Sequence, residues 1–175
     1  MDLQQVRKIE LQQVMDCWVK PACSYLPEDY YGENLNTPAR WQFVTGIGNC
    51  ESGYKAIVQY GCGVAKSFWQ IQPGTYNDLF ANFLSYRPEL LNAVNTMLRR
   101  SPNDGTPPPD ELLLYNMRFA ALICALIVYR SPLALPQLGD TNAQVDFWLQ
   151  SYNTREGAGT YDRAYECFKE VSCLQ

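Results

Sequence analysis

The chain contains no histidine. This excludes Ser-His-Asp and Cys-His catalysis and most catalytic zinc sites, which need an imidazole as base or ligand. Clustered positive charge is missing too. Fourteen Lys and Arg stand against eighteen Asp and Glu, the net charge is −4, and no basic run extends beyond a pair such as Arg99-Arg100. A phosphate-binding surface for nucleic acid is therefore not expected. The seven cysteines, at 17, 23, 50, 62, 124, 167 and 173, form no Cys-x-x-Cys pair. Zinc and iron–sulfur sites are accordingly not expected, and neither is any other cofactor or metal. The odd count leaves at least one thiol free or paired between chains, and most fit as small buried apolar residues.

Long hydrophobic runs are also absent. The longest, Phe119 to Tyr129, is bounded by Arg118 and Arg130. It falls well short of the roughly 20 residues that span a bilayer, so it reads as a buried central helix and no membrane insertion is expected. The first eighteen residues, MDLQQVRKIELQQVMDCW, are polar and amphipathic and lack the pattern of a signal peptide. The expectation is a protein made in a cytoplasm, without an export signal or anchor of its own.

What is present fits one globular domain over residues 1–175, with an N-terminal helix and loop (1–36) and a core (37–172). Apolar residues make up 47% and charged residues 18%, which suits a packed fold and not a disordered chain. The 12 Tyr and 4 Trp suit a core, a sugar-binding cleft or a partner surface. Leu3, Val6, Leu11, Val14, Met15 and Trp18 repeat at helical spacing, and Pro21 is expected to stop that helix. Thr37-Pro38 reads as an N-cap with proline at the first helical position, opening a helix through Trp41, Val44 and Ile47 toward Cys50 and Glu51. Residues 52 to 74 are irregular and glycine-bearing, with a small hairpin or loop expected. Helices follow from Thr75, from Pro88 and from Asp110 or Glu111, the last being the long central one that ends before Pro132. Thr141 with Gln144 matches a capping box, and Thr160 caps a final helix. The expected fold class is mostly α, with about seven helices and a small β or loop element after Glu51.

Glu51 is the first candidate for chemistry. Val44, Ile47 and Glu51 fall at i, i+3 and i+7, so the carboxylate continues an apolar stripe at a helix end. Partial desolvation there raises a carboxyl pKa. A carboxyl protonated near neutral pH is what glycoside cleavage needs as general acid.

Glu51-Ser52-Gly53, followed by Ala65-Lys66-Ser67-Phe68-Trp69-Gln70-Ile71-Gln72-Pro73-Gly74-Thr75, resembles the catalytic core of the soluble lytic transglycosylases. That family places Glu-Ser at a helix end and then Ala-x-Gly-Leu-Met-Gln-x-x-Pro-x-Thr. Ala65, Gln70, Pro73 and Thr75 match in register; Phe68, Trp69 and Ile71 are apolar substitutes; Ser67 stands where the family has glycine. Asn116 through Tyr129 resembles the family's third block, an Asn before a helix rich in small residues. Tyr152-Asn153 with Gly157-Ala158-Gly159-Thr160 resembles its Tyr-Asn-x-Gly block, here stretched by Thr154-Arg155-Glu156. The resemblance covers residues 44 to 168. It is closest to bacteriophage-type variants, which share Pro-x-Thr, the stretch Ala134-Leu135-Pro136 and Tyr-Asn-Thr.

The resemblance implies a lysozyme-like fold and cleavage of peptidoglycan glycan strands, the expected partner, between N-acetylmuramic acid and N-acetylglucosamine. Glu51 would be the catalytic acid and then the base. Ser52 and Gln70 would orient it or the substrate, and Tyr152 and Asn153 would line the opposite wall of the cleft. It also implies synthesis in a bacterial host and action at the cell wall, as an endolysin released at lysis or as a virion component with other virion proteins as partners. After Glu51 no Asp or Glu occurs until Asp78. Hydrolytic glycosidases use two flanking carboxylates, so a one-acid mechanism is favoured, with the sugar's own C6 hydroxyl closing a 1,6-anhydro ring. Three alternatives stay open: a muramidase using water with Asp78, Asp146 or Glu156 as second carboxylate, a phage tail or capsid protein that kept the fold and lost the activity, and a wall-binding module without cleavage.

Overall fold

The computed structural model describes residues 2–61, 63–153 and 160–174. The fold is mostly helical, as expected. Its elements are α1 (Leu3–Val14), a π turn (Met15–Val19), α2 (Lys20–Cys23), α3 (Pro38–Ser52), α4 (Pro73–Asn82), a 3-10 turn (Leu84–Tyr86), α5 (Pro88–Met97), α6 (Leu112–Tyr115), α7 (Met117–Arg130), α8 (Thr141–Ser151) and α9 (Tyr161–Val171). Among the described residues β pairing is confined to isolated antiparallel bridges. Two of them, Val58 with Lys66 and Lys66 with Ile71, fold the segment after Glu51 into a small loop element.

The core is organised around α7. Every residue from Phe119 to Leu126 is fully buried. A helix that is apolar on all sides belongs at the centre of a fold, and the π turn, α2, α3, α5 and α6 all pack against it. Ala120, Ala121 and Ala125 supply the small surfaces that permit this. One continuous apolar cluster runs from Leu11 on α1 to Leu174, so the N-terminal segment is part of the core and not an appendage.

On the other side α3 packs against α9. Phe43 stacks on Phe168 with centroids 5.5 Å apart and meets Phe147 edge-on at 4.9 Å. Gly46 makes the approach possible: a methyl group built there would lie 2.4 Å from Phe168 Cδ1. Gly46→Ala is therefore expected to destabilise the fold by about 1–3 kcal/mol by overpacking. The usual helix-propensity gain of Ala over Gly, about 1 kcal/mol, does not offset it, because the Phe168 ring is already held by Phe43. Urea denaturation of the two proteins measures the difference, and a more stable variant would refute the packing argument.

Three local expectations need correction. Pro21 does not stop the first helix. The chain widens into the π turn, the Lys20 N–H bonds Met15 O, and helix resumes through Pro21 to Cys23. Pro21 has no N–H to offer the Cys17 carbonyl, and Arg118 Nε on α7 bonds that carbonyl at 3.0 Å. The long central helix is broken in two at Asn116, whose backbone leaves the helical region and whose side chain caps α7 by accepting the Phe119 N–H at 3.0 Å. The capping box at Thr141 does not form. Asp140 is the N-cap, accepting the Ala143 N–H at 3.0 Å, and Gln144 is buried with its amide donating to Gln42 Oε1 at 2.9 Å. An aspartate one residue earlier is at least as good a cap, which frees Gln144 for the interior.

Candidate functional site

Glu51 lies in the last turn of α3. Thr37 starts this helix by accepting the Arg40 N–H, with Pro38 at its first position. Gly53 ends it in the left-handed conformation, φ +58°, its N–H bonding Asn49 O. The negative end of the helix is met by two cations: Arg7 donates to Gly53 O at 3.1 Å, and Arg163 of α9 to Cys50 O at 3.5 Å. Cations suit that end of the macrodipole.

The Glu51 side chain is half-buried and does not splay into solvent. Its Oε1 accepts the indole N–H of Trp148, on α8, at 2.9 Å. Burial raises its pKa from 4.5 to about 7, against the opposing pull of the Trp148 hydrogen bond and of the Arg163 charge. Burial wins because a carboxylate loses more solvation than one indole N–H and the Arg163 charge return. The group is thus poised between acid and base near neutral pH, which a proton-transfer catalyst requires.

The loop after α3 places the second part of the site. Ile71 and Lys66 exchange backbone hydrogen bonds of 2.8 and 3.0 Å, and Gln70 N–H bonds Ser67 O. Ser67 (φ +69°) and Gln70 (φ +48°) both adopt the left-handed conformation that favours glycine. Ser67 is where the resembled family has glycine, and its buried hydroxyl accepts the Trp69 N–H at 3.2 Å, a local bond that helps hold the turn. The turn drives Trp69 into the core, where it is fully buried. Its indole donates to Val44 O of α3 at 2.8 Å, and its own carbonyl accepts the Tyr152 hydroxyl at 2.8 Å.

Of the residues expected at the site, Tyr152 lies near Glu51, while Ser52, Gln70 and Asn153 are held in hydrogen bonds of their own. Tyr152, just past α8, is tied to the Trp69–Gln70 peptide and sits close enough to Glu51 for the carboxyl's charge to help raise its own pKa, after burial. Gln70 spends its amide N–H groups on Ala56 O (3.2 Å) and Ser67 O (2.8 Å), so it braces the loop. Ser52 donates to Gly48 O and accepts the Tyr54 N–H, so its hydroxyl secures the end of α3 and does not orient Glu51. Asn153 continues the α8 terminus with its N–H on Trp148 O at 2.8 Å. Glu156, Arg155 and the glycines of the stretched block lie outside the described residues.

Sequence reasoning singled out neither Trp148 nor Arg163. A signal for Trp148 was available: it stands four residues before Tyr152, so both project to one side of α8. Trp148→Phe keeps the ring and removes the donor. Because that bond favours the carboxylate, Glu51 is expected to titrate higher in the variant, by roughly one unit or more for a lost charge-assisted bond. Carboxyl ¹³C NMR of the two proteins measures it. An unchanged or lowered titration point would show that the indole does not hold Glu51.

Near the C-terminal end of α8 a cavity of about 610 Å³ is walled by Thr75, Ile127, Arg130, Gln150 and Ser151 among others, a volume in the range of ligand pockets. Glu51, Trp148 and Tyr152 are not among its lining residues. Among the described residues no helix is long and apolar enough to cross a membrane, and no three His, Cys, Asp or Glu side chains are grouped to hold a metal ion. A scan against protein-family models, a search of curated proteins and a search of solved structures found no match to this chain.

Proposed function

We propose that this protein cleaves the glycan strands of peptidoglycan between N-acetylmuramic acid and N-acetylglucosamine, on a lysozyme-like fold, with Glu51 as its single acid and base. The observation that carries the reading is the state of Glu51: a half-buried carboxyl with a pKa near 7, held by Trp148 beside the Trp69–Tyr152 bond. The order of the Glu-Ser, Gln-x-x-Pro-x-Thr and Tyr-Asn blocks supports it, because Glu51, Trp69 and Tyr152 belong to three of those blocks and lie together.

In this mechanism protonated Glu51 gives its proton to the glycosidic oxygen and the C1–O bond breaks with oxocarbenium character at C1. The Glu51 carboxylate then takes the proton of the muramic C6 hydroxyl, whose oxygen bonds C1 and closes the 1,6-anhydro ring. No water is consumed, and Glu51 ends protonated as it began. Two of the three carboxylates considered for activating water are poorly placed for it, and Glu156 lies outside the described residues. Asp78 is engaged by Arg130 and Asn82. Asp146 is exposed and two residues from Trp148, hence on the opposite side of α8.

The enzyme would reach the wall through lysis or as a virion component, in keeping with the bacteriophage-type resemblance. Mass spectrometry of purified sacculi after incubation tests the reading: muropeptides ending in 1,6-anhydromuramic acid are expected. Reducing ends in one-to-one yield with cleavage would replace the transglycosylase by a hydrolase, and no soluble fragments at all would leave a lapsed enzyme. Because the free enzyme must carry the proton, kcat/KM is expected to be flat below about pH 7 and to fall roughly tenfold per pH unit above it. A rising alkaline limb would assign the essential group elsewhere.

A further inference from the structure

Cys50 stands one residue before Glu51 and faces α9. Its Sγ donates to the Ala164 carbonyl at 3.7 Å, and the neighbouring Asn49 side chain donates to the Cys167 carbonyl at 2.8 Å. The last turn of α3 is thus tied to the turn of α9 that runs from Ala164 to Cys167. Arg163, one residue earlier, donates back to Cys50 O at 3.5 Å. Helical side chains lean toward the N-terminus of their helix, so the Cys167 side chain lies over the Ala164 carbonyl that Cys50 already reaches. The two thiols are hydrogen-bonded to each other. Small residues let the two backbones come this close: Ala164 is 1% exposed, and a methyl group built on Gly46, one turn before Cys50, would collide with Phe168. Both cysteines are free thiols, Cys50 buried and Cys167 partly exposed.

We propose that Cys50 and Cys167 are a disulfide-forming pair, closed by a small disulfide oxidant of the glutathione class, and that the bridge fixes α9 to the end of α3 beside Glu51. Cys167 is the attacking sulfur. It is the more exposed of the two. The hydrogen bond from the Cys50 thiol lowers its pKa, with help from Arg163 and Arg7 and against burial and Glu170, and the thiolate is the nucleophile in exchange. Burial, and then the neighbouring Cys167 sulfur, push the Cys50 thiol up, so Cys50 stays protonated as the resolving group. Cys167 Sγ attacks one sulfur of the oxidant, whose S–S bond breaks, and one thiolate leaves. Cys50 then gives up its proton, its sulfur attacks Cys167 Sγ, and the second thiolate leaves. The departing thiolates take up the two protons that the cysteines lose, so two cysteine thiols are oxidised by two electrons and one disulfide is reduced to two thiols. The bridge closes a loop that contains α4 to α8, and a long loop is the case in which a cross-link restricts the unfolded chain most. The proposal does not depend on the activity proposed for Glu51.

In the test the full chain is incubated with glutathione disulfide, remaining thiols are blocked with N-ethylmaleimide in denaturant, and tryptic peptides are read by mass spectrometry without reduction. Trypsin cuts after Arg40, Lys55, Arg163 and Lys169, so residues 41–55 carry Cys50 alone and residues 164–169 carry Cys167 alone. These two peptides are expected as one cross-linked species, preceded at early times by glutathione on residues 164–169. The bridged protein is expected to melt higher by roughly 5 °C or more, and dithiothreitol to abolish the difference. Cys50→Ala is expected to stop at the mixed disulfide on Cys167, and Cys167→Ala to leave Cys50 unmodified. Recovery of both peptides singly, each blocked with N-ethylmaleimide, a bridge from Cys167 to Cys173 in their place, or a bridged protein that melts no higher than the reduced one would overturn the proposal. Glutathione appearing first on Cys50 would overturn the order of attack.

Discussion

Glu51→Gln is expected to abolish release of anhydro-muropeptides, with a loss of at least roughly 10³-fold if proton donation and removal both pass through this one group. The amide keeps the volume and can still accept the Trp148 N–H, so packing is preserved. Its effect on stability separates a buried catalytic carboxyl from a surface one. The native carboxyl holds its proton up to about pH 7, whereas the unfolded chain releases it near 4.5. Between these values the native state binds more protons, so the contribution of Glu51 to stability falls as pH rises. At 1.36 kcal/mol per unit the full cost is roughly 3 kcal/mol above pH 7. The glutamine variant escapes it. It should match the parent near pH 4 and be more stable at pH 8, with a Tm higher by several degrees, roughly 2–4 °C per kcal/mol for a chain of this size. Loss of activity accompanied by lower stability at pH 8 would mean that Glu51 is a structural partner and not a strained acid.

Trp69→Ala is expected to give the largest loss of stability among single substitutions near the site, about 3–5 kcal/mol, or a Tm lower by roughly 10 °C. The side chain is fully buried, its ring meets Tyr54 edge-on at 5.9 Å, and its indole is the bond that pins the loop to the middle of α3. Removing it leaves a cavity beneath a turn that already holds Ser67 and Gln70 in unfavourable backbone conformations. The Tyr152 hydroxyl then loses a fixed acceptor, so activity is expected to fall beyond what the unfolded fraction explains. Trp69→Phe is the control. It keeps most of the packing, loses one hydrogen bond worth about 1 kcal/mol and should retain activity. If Trp69→Ala proved as stable as the parent, the loop would not be anchored through this residue.

The candidate site was legible in part. Glu51 could be singled out because an apolar stripe at helical spacing leads into it, and Tyr152 because it belongs to a recognisable block. The tasks of Ser52 and Gln70 were not legible. Both are polar residues beside a loop, and which acceptor such a side chain finds depends on where neighbouring carbonyls lie; here these are Gly48 O, Ala56 O and Ser67 O. Trp148 was passed over because an aromatic residue on a helix is far more often packing than a donor, and its N–H acquires a role only when α8 is laid against the end of α3.

By itself the sequence determined the helical class, the caps at Thr37 and Thr160, the buried α7 and the candidacy of Glu51, because periodicity, capping and burial pattern are local properties of the chain. The tertiary structure alone decided the rest. It carried the first helix through Pro21 by lending the Arg118 side chain to a freed carbonyl. It chose Asp140 over Thr141 as a cap once Gln144 found Gln42 across 102 residues. It set the protonation of Glu51, since desolvation depends on what α8 and α9 place over the carboxyl.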